Sequence, residues 1–269
     1  MTENPNQWQA EIAQYDRDRY MVALMAPPEK RAHVLALLAW NNELARVAGL
    51  THEPMVGLIR QTWWREVLEE IYAGKPPRPQ AVVQAMAAAI EQGKLPYQPF
   101  ETLVSAREAD LEKAPFATIA ELETYAAETS GILLQQWSRL LGQGEAVRLE
   151  KLKHLGMAWG LLGTLRATHT LAHQNKLRLP TERLDAVGVK QDDVLLGKFT
   201  PELAQVVQEV VDAAHRHMQQ SCGERGGVFA LRVLATDYLK RIRKAGYNPF
   251  DPAIERGRAS RALKLMFRR

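Results

Sequence analysis

Apolar residues recur at helical spacing along most of the chain. Val34, Leu37 and Leu38, for example, fall at i, i+3 and i+4, which is the pattern of one buried helix face. The same reading predicts helices over residues 28–47, 55–74, 79–92, 97–113, 118–141, 200–221 and 227–244, with an irregular link over residues 179–188. Thr118 and Glu121 have the spacing of a capping box at the start of one of them. No segment shows the sustained alternation of a strand, so we predict an all-α fold.

The most apolar segment, residues 155–165, predicts a helix that crosses the core, because it is hydrophobic on nearly every side. Gly156, Gly160 and Gly163, followed by Ala167, share one face of that helix. Each glycine costs roughly 1 kcal/mol relative to alanine inside a helix. The bare face therefore indicates either the close approach of another backbone or a cavity wide enough for a long apolar ligand.

Composition indicates one domain over residues 1–269, because the prolines are scattered and no linker or internal repeat interrupts the chain. The single cysteine, Cys222, excludes an internal disulfide and CxxC motifs. The first 19 residues have no signal-peptide pattern and form an N-terminal extension. The longest apolar run is too short for the roughly 20 residues of a membrane span. We expect a soluble protein without a nucleic-acid partner.

Positive charge is concentrated at the C-terminus. Residues 238–269 contain ten Lys and Arg against Asp251 and Glu255, a net charge of +8, so the rest of the chain carries −4. Within the basic C-terminal tail, residues 251–269, apolar side chains such as Leu263 and Phe267 lie among the cations. The tail is predicted either to contact an anionic membrane as a peripheral anchor or to be a solvated end of the chain.

Motifs for common enzyme chemistry are missing from the sequence. No nucleotide-binding glycine loop follows a strand, and no G-x-S-x-G occurs. His169 and His173 are spaced for one helix face, but they lack an evident third ligand, so we expect no metal there. The nine aspartates include no D-x-x-x-D or D-D-x-x-D arrangement.

Four blocks in sequence carry a resemblance. They are YMVALMAPPEKRAHVLALLAWNNELARV, LIRQTWWREVLEEIYAGKPPRP, FETLVSAREADLEKAPFATIAELETYAAETSGILL and GMAWGLLGTLRATHTLAHQNKLRLP. From about Tyr20 to Phe250 the chain resembles the squalene/phytoene synthase family. The resemblance implies a helical isoprenoid-synthase fold around a central cavity. In that fold two aspartate-rich motifs on facing helices bind Mg²⁺ and prenyl diphosphates for head-to-head condensation.

The chain departs from the family at those motifs. The aspartate positions of the first motif correspond to Ala45, Arg46 and Gly49, and the acidic positions of the second correspond to Ala167, Thr170 and Leu171. The resemblance then implies no catalytic residue, no metal site and no cofactor, with Mg²⁺ expected only if the chain is an enzyme after all. The residues that it places in the cavity or near a ligand are Tyr20, Trp40, Asn41, Tyr125, Gly131, Gly156, Gly160, Gly163, Arg166, Lys176 and Arg178.

Residues 39–45, AWNNELA, and residues 165–168, LRAT, resemble a non-catalytic branch of the family, the complex I (NADH dehydrogenase) assembly factor 6 group. This implies partners among respiratory complex subunits or assembly proteins. It also implies a location in the cytoplasm or on the mitochondrial matrix side, peripheral to the inner membrane.

Three alternatives stay open beside that interpretation. One is a prenyl transferase with an atypical site. Another is an isoprenoid or lipid binder, in which Arg166, Lys176 and Arg178 attract an anionic head group. The last is an adaptor whose interior is filled by tryptophan side chains, namely Trp40, Trp63 and Trp159.

Overall fold

The computed structural model describes residues 7–50, 53–224 and 226–255, and these are helical along most of their length. The first helices are α1 (Gln7–Tyr15), α2 (Arg17–Ala23), α3 (Pro28–Leu50), α4 (Pro54–Tyr72), α5 (Ala81–Gly93) and α6 (Tyr97–Ala106). The later ones are α7 (Ile119–Ala126), α8 (Ile132–Leu140), α9 (Ala146–His173), α10 (Thr181–Ala186), α11 (Gln191–Leu195), α12 (Pro201–Gln220), α13 (Leu231–Lys244) and α14 (Pro252–Glu255). Across these ranges no strand occurs, and the all-α prediction is confirmed.

Helix α9 lies at the centre of the fold. It packs against α7, α8, α12 and α13. Leu152, Leu155, Leu161, Leu162 and Leu165 are fully or almost fully buried, and they point to several sides of the helix. A helix that is apolar around its circumference must be surrounded by other helices, which explains why residues 155–165 show little polar character.

Two predicted helices are interrupted. The helix predicted over residues 97–113 ends at Ala106 and continues as a 3₁₀ turn, Arg107–Leu111. The helix predicted over residues 118–141 contains a π-helical turn, Ala127–Gly131, between α7 and α8. Within that turn the Thr129 hydroxyl donates a hydrogen bond to the Tyr125 carbonyl oxygen at 2.7 Å. Side chains that bond to the backbone in this way compete with regular helical bonding, and the sequence pattern does not show it.

Other boundaries are close to the prediction. The capping box is confirmed, because the Glu121 backbone N–H donates to Thr118 Oγ1 at 3.1 Å and the Thr118 N–H donates to Glu121 Oε2 at 3.4 Å. The predicted irregular link over residues 179–188 instead contains α10. Helix α10 has six residues, which is too short for a clear hydrophobic period.

The ends of the described chain belong to the packed structure. Ile12 of α1 is fully buried, and Asp18 and Arg19 of α2 are also buried, so the described part of the predicted N-terminal extension contributes to the core. At the other end Ile254 is buried, whereas residues 256–269, which make up most of the predicted basic tail, lie outside the described residues. No described helix is both long and apolar enough to cross a membrane.

Candidate functional site

A pocket of about 640 Å³ lies between the ends of α1 and α3, the 3₁₀ turn, the π-helical turn and the C-terminal half of α9. Its wall combines apolar and small residues with charged ones. The lining cations are Arg19, Arg46, Arg107, Arg166, Lys176 and Arg178. Among the described lining residues the carboxylates are Asp16 and Asp110. Among the described lining residues, cations thus outnumber carboxylates.

The glycine face of α9 packs against another backbone segment at Gly156 and lines the pocket at Gly160 and Gly163. A Cβ atom on Gly156 would lie 2.4 Å from the Gly131 Cα atom, so the backbones of α9 and the π-helical turn touch there. At Gly160 a Cβ atom would lie 2.8 Å from the Ala126 Cβ atom, and the residue also borders the pocket. At Gly163 nothing lies within 4 Å. The glycine face thus meets another backbone at Gly156 and borders open space at Gly163.

One wall of the pocket is built around the buried carboxylate of Asp110. Arg178 Nη1 and the Tyr125 hydroxyl each donate to Asp110 Oδ1 at 2.6 Å. Arg107 Nη1 donates to Asp110 Oδ2 at 3.2 Å and to the Tyr125 hydroxyl oxygen at 2.9 Å. Lys176 Nζ donates to the Asp110 carbonyl oxygen at 2.5 Å. These bonds hold three cationic groups and one phenol in fixed positions.

The pKa shifts in this wall keep Asp110 ionised and Tyr125 protonated around neutral pH. Burial alone would raise the pKa of the Asp110 carboxyl, but Arg178 and Arg107 beside it hold that pKa below its usual value. Burial raises the pKa of Tyr125 to about 12, so the phenol keeps its proton. Burial, and then the charge of Arg178, lower the pKa of Lys176. The wall therefore presents donors rather than proton acceptors.

A second group of charges lies where α2 meets α9. Arg19 donates from Nη1 to Asp16 Oδ2 at 3.0 Å and from Nη2 to Ser130 Oγ at 3.1 Å. Arg166 Nη1 contacts Asp18 Oδ2 at 3.4 Å, and its guanidinium lies 4.0 Å from the centre of the Tyr238 ring. Carboxylates thus hold the arginines on this side too.

The six positions that correspond to the acidic motifs of the family all line the pocket, on the facing surfaces of α3 and α9. They are Ala45, Arg46, Gly49, Ala167, Thr170 and Leu171. Arg46 lies at the rim, where its Nη1 contacts Glu11 Oε2 at 3.1 Å and its guanidinium stacks 3.9 Å from the centre of the Tyr15 ring. The six positions thus share one pocket, and none of them carries a carboxylate.

The residues present do not fit Mg²⁺. Mg²⁺ needs carboxylate ligands, and the lining carboxylates Asp16 and Asp110 are each bound by guanidinium groups. A dication would also have to approach a wall with a surplus of positive charge. His169 and His173 are exposed with their Nε2 atoms 3.3 Å apart. Within the described ranges no group of three or more His, Cys, Asp or Glu residues is arranged to hold a metal.

Some predicted cavity residues lie elsewhere. Asn41, Tyr125, Gly160, Gly163, Arg166, Lys176 and Arg178 line the pocket, whereas Tyr20, Trp40, Gly131 and Gly156 do not. Trp40 packs edge-on against Phe100 with ring centres 5.2 Å apart, because α3 turns that face towards the core. Trp63 packs against Trp64 and under Arg78, also away from the pocket. Of the three tryptophans expected to fill the interior, Trp159 alone lines it.

Several polar residues of the pocket were not predicted from the sequence, among them Arg19, Asn42, Arg107, Asp110 and Ser130. A signal existed for two of them, since Arg107 and Asp110 follow Leu103 at i+4 and i+7 and so continue its buried stripe. Asn42 is buried, and its Nδ2 atom has no hydrogen-bond partner among the residues that the structure describes. A buried amide donor without a partner is unfavourable for stability.

Sequence comparisons relate the chain to known proteins. The family model described as squalene/phytoene synthase matches residues 12–264. The chain is 30% identical over 247 residues to human NADH dehydrogenase (ubiquinone) complex I, assembly factor 6, covering 89% of this chain and 74% of that one. It is 27% identical over 267 residues to the 15-cis-phytoene synthase of Synechocystis, covering 89% and 76% of the two chains.

Solved structures show the same architecture. A dehydrosqualene synthase superposes with a TM-score of 0.79 at 18% identity, covering 98% of this chain and 97% of that one. The squalene synthase of Alicyclobacillus acidocaldarius superposes with a TM-score of 0.76 at 17% identity, covering 91% and 95%. The predicted all-α isoprenoid-synthase fold is confirmed.

Proposed function

Because the chain belongs to the squalene/phytoene synthase family, we propose that it is a non-catalytic member that takes part in the assembly of respiratory complex I. The observation that carries this proposal is the composition of the six motif positions. The resemblance implies acidic residues at these positions in catalytic members of the family. In this chain the same positions hold alanine, glycine, threonine, leucine and an arginine, Arg46.

The chemistry of condensation explains why these substitutions matter. A prenyl diphosphate ionises when cations neutralise the departing diphosphate, and Mg²⁺ held by carboxylates does this in the family. In this pocket the lining carboxylates Asp16 and Asp110 are already engaged with arginines. We therefore propose that the protein uses no metal cofactor and does not catalyse head-to-head condensation.

The role in assembly is supported by the names of similar proteins. The relatives from human and Drosophila melanogaster are complex I assembly factor 6 and its homologue, at 30% and 28% identity. By analogy we propose that this chain contacts subunits or assembly proteins of complex I. It would act in the mitochondrial matrix or the bacterial cytoplasm, at the inner face of the membrane that holds the complex.

Deleting the gene tests the role in assembly. Cells without it are expected to lose most of their assembled complex I, measured by native gel electrophoresis and by NADH oxidation in isolated membranes. The wild-type gene should restore both, and so should a control with a conservative change at an exposed residue that does not line the pocket, such as Lys240→Arg. Normal complex I in the deletion strain would refute the proposal.

A direct assay tests the lack of catalysis. The purified protein is incubated with farnesyl or geranylgeranyl diphosphate, Mg²⁺ and NADPH beside a phytoene synthase as positive control. No pyrophosphate above background is expected. Stoichiometric release would instead support the alternative, a prenyl transferase with an atypical site.

The open pocket favours a second function, the binding of an anionic amphiphile. Gly163 borders open space, and Asn42, Arg107 and Arg178 line the same pocket. Guanidinium and amide groups bind phosphate or carboxylate oxygens directly. A prenyl diphosphate should therefore raise the melting temperature equally with and without Mg²⁺, and Arg178→Gln should weaken the shift. A shift that requires Mg²⁺ would contradict this binding mode.

A further inference from the structure

An apolar patch covers the tip formed by the end of α3 and the start of α4. It consists of Leu50, Met55, Val56, Leu58 and Ile59. Leu50, Met55 and Ile59 are 58%, 66% and 63% exposed, and together the five make up half of the large hydrophobic residues that are exposed in the described chain. Single exposed apolar residues are ordinary, but five within ten positions indicate a binding surface.

The core does not need these side chains. Helix α4 packs through its opposite face, where a Cβ atom on Gly57 would lie 2.3 Å from Leu111 Cδ2 and Gln61 Nε2 donates to the Arg107 carbonyl oxygen at 3.0 Å. Glu43 and Arg60 join α3 to α4 by an ion pair at 3.3 Å. The tip is thus firmly attached to the fold while its outer face stays apolar.

The apolar patch continues into the mouth of the pocket. Gly49 and Leu50 line the pocket, and so do Arg46 and Tyr15, which is 51% exposed. An aromatic ring stacked under a guanidinium suits the boundary between lipid head groups and acyl chains, because each has an apolar body and a polar end. Apart from Arg46 at this rim, the described pocket wall carries five cations and two carboxylates.

The size of the apolar patch distinguishes a lipid surface from a protein. A stable protein interface takes about 20–30 residues on each side. Here the exposed apolar residues stop at Ile59, and α4 continues with exposed polar residues such as Thr62 and Glu66. A small apolar tip beside a cationic pocket is instead suited to shallow insertion among anionic lipids.

We propose that the apolar patch docks the protein on an anionic lipid surface, with the mouth of the pocket facing the bilayer. This surface is formed by Leu50, Met55, Val56, Leu58 and Ile59, none of which belongs to the basic C-terminal tail. It goes beyond the proposed role in assembly and does not depend on it.

Vesicle flotation with the full-length protein tests this docking. The vesicles are phosphatidylcholine alone or phosphatidylcholine with phosphatidylglycerol. The wild type should float with the anionic vesicles, and Met55→Asp/Ile59→Asp should reduce the bound fraction about tenfold, because two apolar anchors are lost and two negative charges are gained. The matched control is Val147→Asp/Leu196→Asp, which changes equally exposed residues elsewhere and should float like the wild type.

A tail variant and a measurement of self-association distinguish docking through the apolar patch from binding through the basic tail and from dimerisation. The tail variant, Lys264→Glu/Arg268→Glu/Arg269→Glu, should keep most of the binding. Circular dichroism checks that every variant is folded. The docking is refuted if the wild type binds neither vesicle, if only the tail variant loses binding, or if the patch variant floats like the wild type. A concentration-dependent dimer in light scattering that the patch variant abolishes, without lipid binding, would assign the patch to a second copy of the chain and also overturn the proposal.

Discussion

The two ends of the glycine face on α9 have opposite environments. At Gly156 the backbone of the π-helical turn lies so close that no side-chain atom fits, whereas at Gly163 no atom would touch an added Cβ. Packing closes the first end, and the charged groups around Asp110 border the open pocket at the second. The same residue type, repeated along one helix face, thus provides close packing at one position and space for a ligand two turns later.

Removing the carboxylate charge of Asp110, which borders the open pocket, should have the largest effect on stability. In Asp110→Asn, Arg107 and Arg178 would lose the carboxylate that compensates their buried charges. We expect a loss of about 3–5 kcal/mol in the free energy of unfolding, measured by urea denaturation. The control is Asp193→Asn at the exposed pair with Lys198, which should change stability by less than about 1 kcal/mol. An equally small loss for Asp110→Asn would show that the network does not support the pocket wall.

Adding a methyl group at the closed end should have the next largest effect. In Gly156→Ala the new Cβ would lie 2.4 Å from Gly131 Cα and 2.6 Å from the Ser130 carbonyl oxygen, both of them backbone atoms that cannot move aside cheaply. We expect a loss of about 1–3 kcal/mol by the same urea measurement. A variant as stable as the wild type would mean that the helices can separate without cost.

Replacing glycine by alanine at the open end should increase stability instead of reducing it. Gly163→Ala adds a methyl group to open space and replaces a poor helix former by the best one. A gain of about 0.5–1 kcal/mol is expected. If this variant is destabilised as much as Gly156→Ala, the two ends do not differ in the way described.

Lowering the pH should reduce the stability contributions of His154 and Asp110 in different pH ranges. This is the smallest change in stability that we expect. Burial, and then His217, lower the pKa of His154, which lies near the closed end, below its ordinary 6.5. The unfolded chain then binds the proton more readily, so this contribution to stability is lost as the pH falls below about 6.5. Asp110 has a lowered pKa, so its contribution is lost only below its ordinary 3.8.

Melting temperatures at pH 7.5 and 5.5 measure this difference. His154→Gln should lose less stability between the two pH values than the wild type does, whereas any effect of Asp110 should be the same at both. Identical pH dependence in His154→Gln and the wild type would exclude His154 as a source of the effect.

The parts of the fold that sequence could predict are those set by local patterns. The apolar circumference of α9 identifies the central helix, and the spacing of Thr118 and Glu121 identifies a cap. Residues 45, 46 and 49 line the same pocket as residues 167, 170 and 171. These features depend on neighbours in the chain or on motifs shared with a known family.

The parts that could not be predicted depend on distant partners. Asp110 and Arg178 are 68 positions apart, and only the folded chain shows that they meet. The sequence also predicted a continuous helix across residues 107–111. That prediction does not show that Arg107 and Asp110 line the pocket. The environment of each glycine was undetermined for the same reason, because it depends on which helix lies opposite.

The π-helical turn at Ala127–Gly131 changes the phase of the helices that it joins. Tyr125 and Ser130 both line the pocket although they are five positions apart, and a regular α-helix would rotate them about 140° from each other. A π-helical turn, with its i to i+5 bonding, brings such residues back to one side. Deleting one residue from this turn would therefore leave both flanking helices intact and still remove either the phenol or the hydroxyl from the pocket, so the pocket depends on the number of residues here as well as on their identity.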